Sequence, residues 1–195
     1  PLALHYLGKE EFGLWALALQ INGYLALLDF GMSSAVSRFL ADHKDDVNGG
    51  EYGSLLLTGG LVFAVQGAVV ALVGYGFSRF APEFFAIPAH LVGAFAGILA
   101  LQAALSGGAI AMRSVGSPLW AFQRMEVINI CASVGLLLSL PLMWLGFRLG
   151  YGIYSLAYAG IPAILLTLVA YVWVCAKNNF LRRIKHLYFW FLALS

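Results

Sequence analysis

The feature that most constrains this chain is a series of long apolar runs separated by short polar connections. A run of about 20 apolar residues is long enough to cross the hydrocarbon core of a bilayer as a helix. The runs lack the alternation of barrel strands, and backbone in lipid must satisfy its own hydrogen bonds, so each is predicted to be a helix. The sequence therefore predicts an all-α, polytopic transmembrane helix bundle. The complete runs are 12–40, 54–77, 89–120, 127–147 and 153–176.

Composition supports the same class of protein. Charged residues make up only 10% of the 195, against 62% hydrophobic residues, whereas a soluble domain carries about 25% charged residues. The net charge of +2 gives no indication of nucleic-acid binding. Phosphate-loop, dinucleotide-binding, zinc-protease and serine-hydrolase motifs are missing from the sequence. We therefore expect neither an enzyme nor a bound cofactor or metal.

The distribution of Lys and Arg predicts the orientation. One alternating set of connections carries eight of these residues, and the opposite set carries Lys9, Arg79 and Arg148. The richer set is predicted to be cytoplasmic, so the first complete run descends from outside to inside. Partial apolar runs open and close the chain. Residues 1–195 are therefore expected to form a single transmembrane domain that is a fragment of a longer chain.

Small residues are predicted to mediate helix packing, because small side chains let helices approach closely in lipid. Gly93 and Gly97 form one Gly-x-x-x-Gly pair. Gly60, Ala64 and Ala68 form a second stripe at four-residue spacing.

Asp29 is the clearest polar residue inside an apolar run. A carboxylate near a helix centre costs about 2.5–3.5 kcal/mol on insertion scales, so it should face the bundle interior or a water-filled cavity. At helical spacing Asn22, Asp29 and Ser33 share one face. A functional role is left open beside two structural ones, capping a helix broken near Gly31 or pairing with an Arg on a neighbouring helix.

Arg113 and Arg124 are the candidate cations. If the third run continues to about Trp120, Arg113 lies inside the membrane, where a planar guanidinium suits a phosphate-bearing substrate. If the run ends at Met112, Arg113 is only a topological anchor. Arg124 is expected near the cytoplasmic rim, where it either attracts anionic head groups or fixes topology.

Three stretches carry a family resemblance. Residues 7–17, LGKEEFGLWAL, combine a Leu-Gly pair, polar residues and an aromatic-Gly pair. The other two are LDFGMSSA at 28–35, followed by RFLA at 38–41, and FQRME at 122–126. In order and spacing they resemble the O-antigen and lipopolysaccharide flippases of the multidrug/oligosaccharidyl-lipid/polysaccharide exporter superfamily.

The resemblance implies one lobe of a MATE-like fold, with the end of helix one, helices two to six and the start of helix seven. It implies a flippase of the bacterial inner membrane that moves undecaprenyl-diphosphate-linked oligosaccharide by alternating access for polysaccharide biosynthesis. Its partners would be that substrate, membrane lipids and the C-terminal lobe of the same protein. Arg113 is then the expected phosphate contact. Asp29 and Asn22 are expected to line the glycan path or to support a coupling proton or sodium ion.

Three other readings stay open. A cation-coupled multidrug exporter of the same superfamily would use an acid such as Asp29 to bind its driving ion. A non-transporting scaffold for polysaccharide assembly would need no polar-lined cavity. A membrane-embedded glycosyltransferase or polymerase is disfavoured, since no large soluble loop carries an acid/base pair.

If Asp29 faces a cavity, Asp29→Asn should reduce glycan export without blocking membrane insertion, because that carboxylate is not needed to place the helix. Surface polysaccharide is measured at matched membrane abundance. Normal export by a stably inserted variant would remove Asp29 from the mechanism.

Overall fold

The structure, a computed structural model, describes residues 6–27, 31–45 and 51–177. Within these ranges the regular secondary structure is entirely helical, which confirms the predicted all-α polytopic bundle. Asp29 and the basic stretch after Lys177 lie outside the described residues. In chain order the helices are α1 (Lys9–Ala26), α2 (Met32–Asp42), α3 (Glu51–Phe84), α4 (Val92–Ala121), α5 (Met125–Arg148), α6 (Tyr154–Tyr158) and α7 (Ile161–Lys177).

Within the described ranges, four segments are long and apolar enough to cross a membrane: α3, α4, α5 and the α6–α7 segment Tyr154–Lys177. Helix α3 has 34 residues, which corresponds to about 51 Å of helix. The hydrocarbon core is only about 30 Å thick, so α3 must tilt or project beyond it. Large apolar side chains cover its outward face; Leu72, for example, is 70% exposed. Such a surface suits lipid, and the chain is a membrane protein.

The run 12–40, predicted as one span, contains two helices. Helix α1 ends at Ala26 and α2 begins at Met32, directly after Gly31. Gly31 has φ +76°, a left-handed conformation that glycine adopts without a side-chain clash. The Ser34 hydroxyl donates to the Gly31 carbonyl at 2.7 Å. A separate helix, α2, therefore starts directly after this glycine.

The closest helix pair is α3 and α4, which run antiparallel. A Cβ added to Gly67 would collide with the Gly107 carbonyl oxygen, and a Cβ on Gly107 would collide with the Gly67 carbonyl oxygen. One further contact follows seven residues along α3, where a Cβ on Gly74 would overlap the Ala103 methyl group. These small residues bring the two backbones together, as packing in lipid requires.

The predicted small-residue stripes are therefore corrected. Of the stripe Gly60, Ala64 and Ala68, only Gly60 faces α4, next to Ser114. Ala64 and Ala68 are exposed, because α3 meets α4 through Gly67, Ala71 and Gly74. In the other pair, a Cβ added to Gly97 would collide with the Tyr154 side chain, whereas a Cβ on Gly93 would meet open space.

Contacts between helix ends define the two ends of the bundle. At one end His90 Nε2, before α4, lies 3.6 Å from a Glu10 carboxylate oxygen near the start of α1. At the other end His43 Nε2, after α2, lies 3.4 Å from a Glu51 carboxylate oxygen at the start of α3. The α1–α2 segment and α4 therefore run in the same direction and α3 runs back. The His43–Glu51 end is the one predicted to be cytoplasmic.

Gly107→Leu should destabilise the protein by about 1–3 kcal/mol, because the new side chain has no room against α3. Gly108→Leu is the matched control, since a Cβ at Gly108 meets no atom within 4 Å. Thermal unfolding of the detergent-solubilised variants measures the difference. Equal unfolding temperatures for the two variants would contradict the observed α3–α4 contact.

Candidate functional site

A row of polar side chains on α4 lies beside α1 and α2. Gln102, Ser106 and Arg113 are four and seven residues apart, which places them within an arc of about 40° on an α-helix. Two of them bond to Asn22 of α1 and Ser33 of α2. We call these five residues the polar seam.

The first bond of the polar seam joins α1 to α4. The Ser106 hydroxyl donates to the Asn22 side-chain oxygen at 2.8 Å. Ser106 lies near the midpoint of α4, so this bond lies deep in the membrane-crossing part of the bundle. Sequence reasoning placed Asn22 on a polar face but did not identify Ser106 as its partner.

The second bond joins α2 to α4. An Arg113 guanidinium nitrogen donates to the Ser33 hydroxyl at 2.6 Å. Helix α4 continues eight residues beyond Arg113 to Ala121, or about 12 Å, so Arg113 does not sit at the helix end. Of the two sequence alternatives, the longer helix is the one observed. Arg113 is exposed.

Gln102 gives the polar seam an unsatisfied acceptor. The residue is only 7% exposed, and its side-chain oxygen accepts no hydrogen bond from the residues that the structure describes. A buried acceptor without a donor costs about 1–3 kcal/mol. This carboxamide is therefore available to a donor such as a hydroxyl group or a water molecule.

A groove of about 460 Å³ lies between α4, α5 and α7 and adjoins the polar seam. Arg113 belongs to both: it bonds Ser33 on one side and lines the groove on the other. The two surfaces thus meet at one guanidinium. The other residues that line the groove are Ala109, Met112, Cys131, Ala132, Gly135, Leu136, Ser139, Gly160, Ala163, Ile164, Thr167 and Tyr171.

The remaining candidates lie elsewhere. Arg124 follows the end of α4 and donates to Glu126 at 3.1 Å in an exposed ion pair. Asp29 is outside the described residues, so its predicted role stays a prediction. Among the side chains that the structure describes, His, Cys, Asp and Glu form no cluster of three that could hold a metal.

A family model described as "Polysaccharide biosynthesis protein" matches residues 1–192. The chain belongs to this family. Searches of curated proteins and of solved structures found no match. The family model covers nearly the whole chain, so both the polar seam and the groove lie within the matched part. The protein is therefore a membrane component of polysaccharide biosynthesis.

The Asn22–Ser106 bond should be detectable as an energetic coupling. Asn22→Ala and Ser106→Ala should destabilise the protein non-additively, with a coupling of about 0.6 kcal/mol and an upper limit near 1.7 kcal/mol. A double-mutant cycle in thermal or denaturant unfolding measures it. Ser114→Ala is the control, because the Ser114 hydroxyl bonds to Ala111 of its own helix. Full additivity of Asn22→Ala and Ser106→Ala would contradict the contact.

Proposed function

We propose that this protein is a flippase that moves a polyprenyl-diphosphate-linked oligosaccharide across the bacterial inner membrane by alternating access, as a transporter rather than an enzyme. The observation that carries the proposal is Arg113, a guanidinium inside a membrane-crossing helix beside a polar seam and a groove. The family's role in polysaccharide biosynthesis supports it.

The chemistry of Arg113 suits the diphosphate. A cation within the membrane costs several kcal/mol unless it is paired or faces water, and such residues mark substrate pathways. A guanidinium donates in a planar fork that matches two phosphate oxygens, and it stays charged at any physiological pH. Ser33 supplies one neutral acceptor, at 2.6 Å. A phosphate oxygen is a stronger acceptor because it is charged.

The polar seam suits the sugar part of the substrate. Asn22 and Gln102 carry carboxamides and Ser106 carries a hydroxyl group, so these three residues of the seam offer donors and acceptors that are uncharged. Sugars carry hydroxyl groups that need such partners when water is removed. In this proposal the head group lies along the polar seam, and Asp29 extends the same path or supports a coupling proton or sodium ion.

Alternating access also needs a second wall. The described helices form one bundle, with Arg113 and the groove exposed on its surface. We propose that a C-terminal lobe of the same protein supplies the opposite wall and that the two lobes rock around the head group. Export would then require both lobes.

The test is complementation by the full-length protein in a flippase-deficient strain, scored as surface polysaccharide at equal membrane abundance. Arg113→Ala should lower export at least about tenfold, because a hydrogen bond to a charged group contributes about 1.5–3 kcal/mol. Arg113→Lys should give an intermediate value, since it keeps the charge but loses the fork.

Arg79→Ala is the matched control, because Arg79 lies at the opposite end of the bundle over the Tyr75 ring. It should leave export close to wild type. Export that is unchanged in Arg113→Ala would overturn the role of Arg113. Cation-dependent drug efflux without glycan export would replace the flippase with a drug exporter.

A further inference from the structure

The walls of the groove are mostly apolar, and three of their residues carry hydroxyl groups: Ser139, Thr167 and, at one end, Tyr171. The Ser139 hydroxyl donates to the Leu136 carbonyl at 2.8 Å, and the Thr167 hydroxyl donates to the Ala163 carbonyl at 2.8 Å. Both donors are thus satisfied within their own helices. The groove therefore suits a guest without hydrogen-bonding groups along most of its length.

The dimensions of the groove suit a single hydrocarbon chain. Its lining from Gly160 through α7 to Tyr171 spans a rise of about 16 Å over eleven residues. The groove has a volume of about 460 Å³, so a branched hydrocarbon chain can lie along it in van der Waals contact with its walls.

Leu136 on the rim is 68% exposed, so the groove opens sideways toward the surrounding lipid. A flexible lipid chain can enter by that route.

The two ends of the groove differ in charge. Arg113 lies toward the end of the bundle predicted to be cytoplasmic, and the groove continues from there toward Gly160 and the opposite half of the bundle. A lipid of the cytoplasmic leaflet has this polarity, with its phosphate near the cytoplasmic surface and its tail toward the bilayer centre. The other groove-lining side chains are uncharged.

We propose that the groove between α4, α5 and α7 binds the first isoprene units of the substrate's polyprenyl tail, while Arg113 binds its diphosphate. This inference rests on the proposed function and adds a tail-binding site to it. The tail is held in the protein beside the head-group path, so this bundle recognises the polyprenyl tail of the substrate as well as its diphosphate.

The experiment measures binding of two water-soluble probes, farnesyl diphosphate and dimethylallyl diphosphate, to the full-length protein in nanodiscs of zwitterionic lipid. They share the diphosphate and differ by two isoprene units. Wild type should bind the farnesyl compound at least about tenfold more tightly, since ten further carbons leave water. Arg113→Ala should weaken the binding of both probes.

Ala109→Leu should fill the groove from α4 and abolish the preference for the farnesyl compound over dimethylallyl diphosphate. Ala104→Leu is the matched control, because Ala104 is exposed on the same helix and does not line the groove. It should keep the wild-type preference. Ala132→Leu fills the groove from α5 and should repeat the result of Ala109→Leu. Agreement between the two variants would show that the effect comes from the lost groove space and not from a distortion of α4.

Equal affinity of wild type for the two probes would overturn the tail site, while Arg113-dependent binding of both would leave the proposed function standing. Binding of both probes that does not depend on Arg113 would overturn the phosphate contact itself. Loss of the farnesyl preference when the nanodiscs contain phosphatidylglycerol would overturn the tail site too, because the groove would then be an ordinary phospholipid site.

Discussion

The close approach of α3 and α4 at Gly67 and Gly107 is the contact on which the rest of this bundle depends. In lipid no hydrophobic effect drives two apolar helices together, so association depends on van der Waals contact and on weak bonds between backbones. Each glycine faces the carbonyl oxygen of the other, which fixes the rotation of α4 about its axis. With one face of α4 committed to α3, its remaining faces are available to the α1–α2 segment and to the groove.

The fold class could be predicted from the sequence because apolar length alone constrains a backbone in lipid. The packing face of α3 could not, because the stripe predicted from the sequence, Gly60, Ala64 and Ala68, differs from the face that meets α4. The residues of the opposite helix decide which face packs. Ala103 and Gly107 of α4 meet Gly74 and Gly67 of α3, and that match exists only when the two helices are considered together.

The candidate site was likewise predictable only in part from the sequence. Arg113 stood out in the sequence, but whether it lay within a helix depended on whether α4 continued through Pro118. The structure continues α4 to Ala121, with Ser117 donating to the Arg113 carbonyl at 2.5 Å. The Ser106 partner of Asn22 lies 84 residues away along the chain, and periodicity within one helix carries no such information. The groove is likewise defined only by three helices together.

Arg113 lies where the polar seam meets the apolar groove, and this position explains how a membrane span can hold a guanidinium despite the free-energy cost of burying its charge in lipid. A guanidinium in a membrane span must keep an acceptor whether or not a ligand is present, and Ser33 is one such acceptor in the structure. In the proposed mechanism a phosphate oxygen replaces the Ser33 hydroxyl, so Arg113 exchanges one acceptor for a stronger one. The same exchange would release one contact between α2 and α4 next to the left-handed turn at Gly31. Head-group binding and the position of α2 would then be coupled through a single side chain.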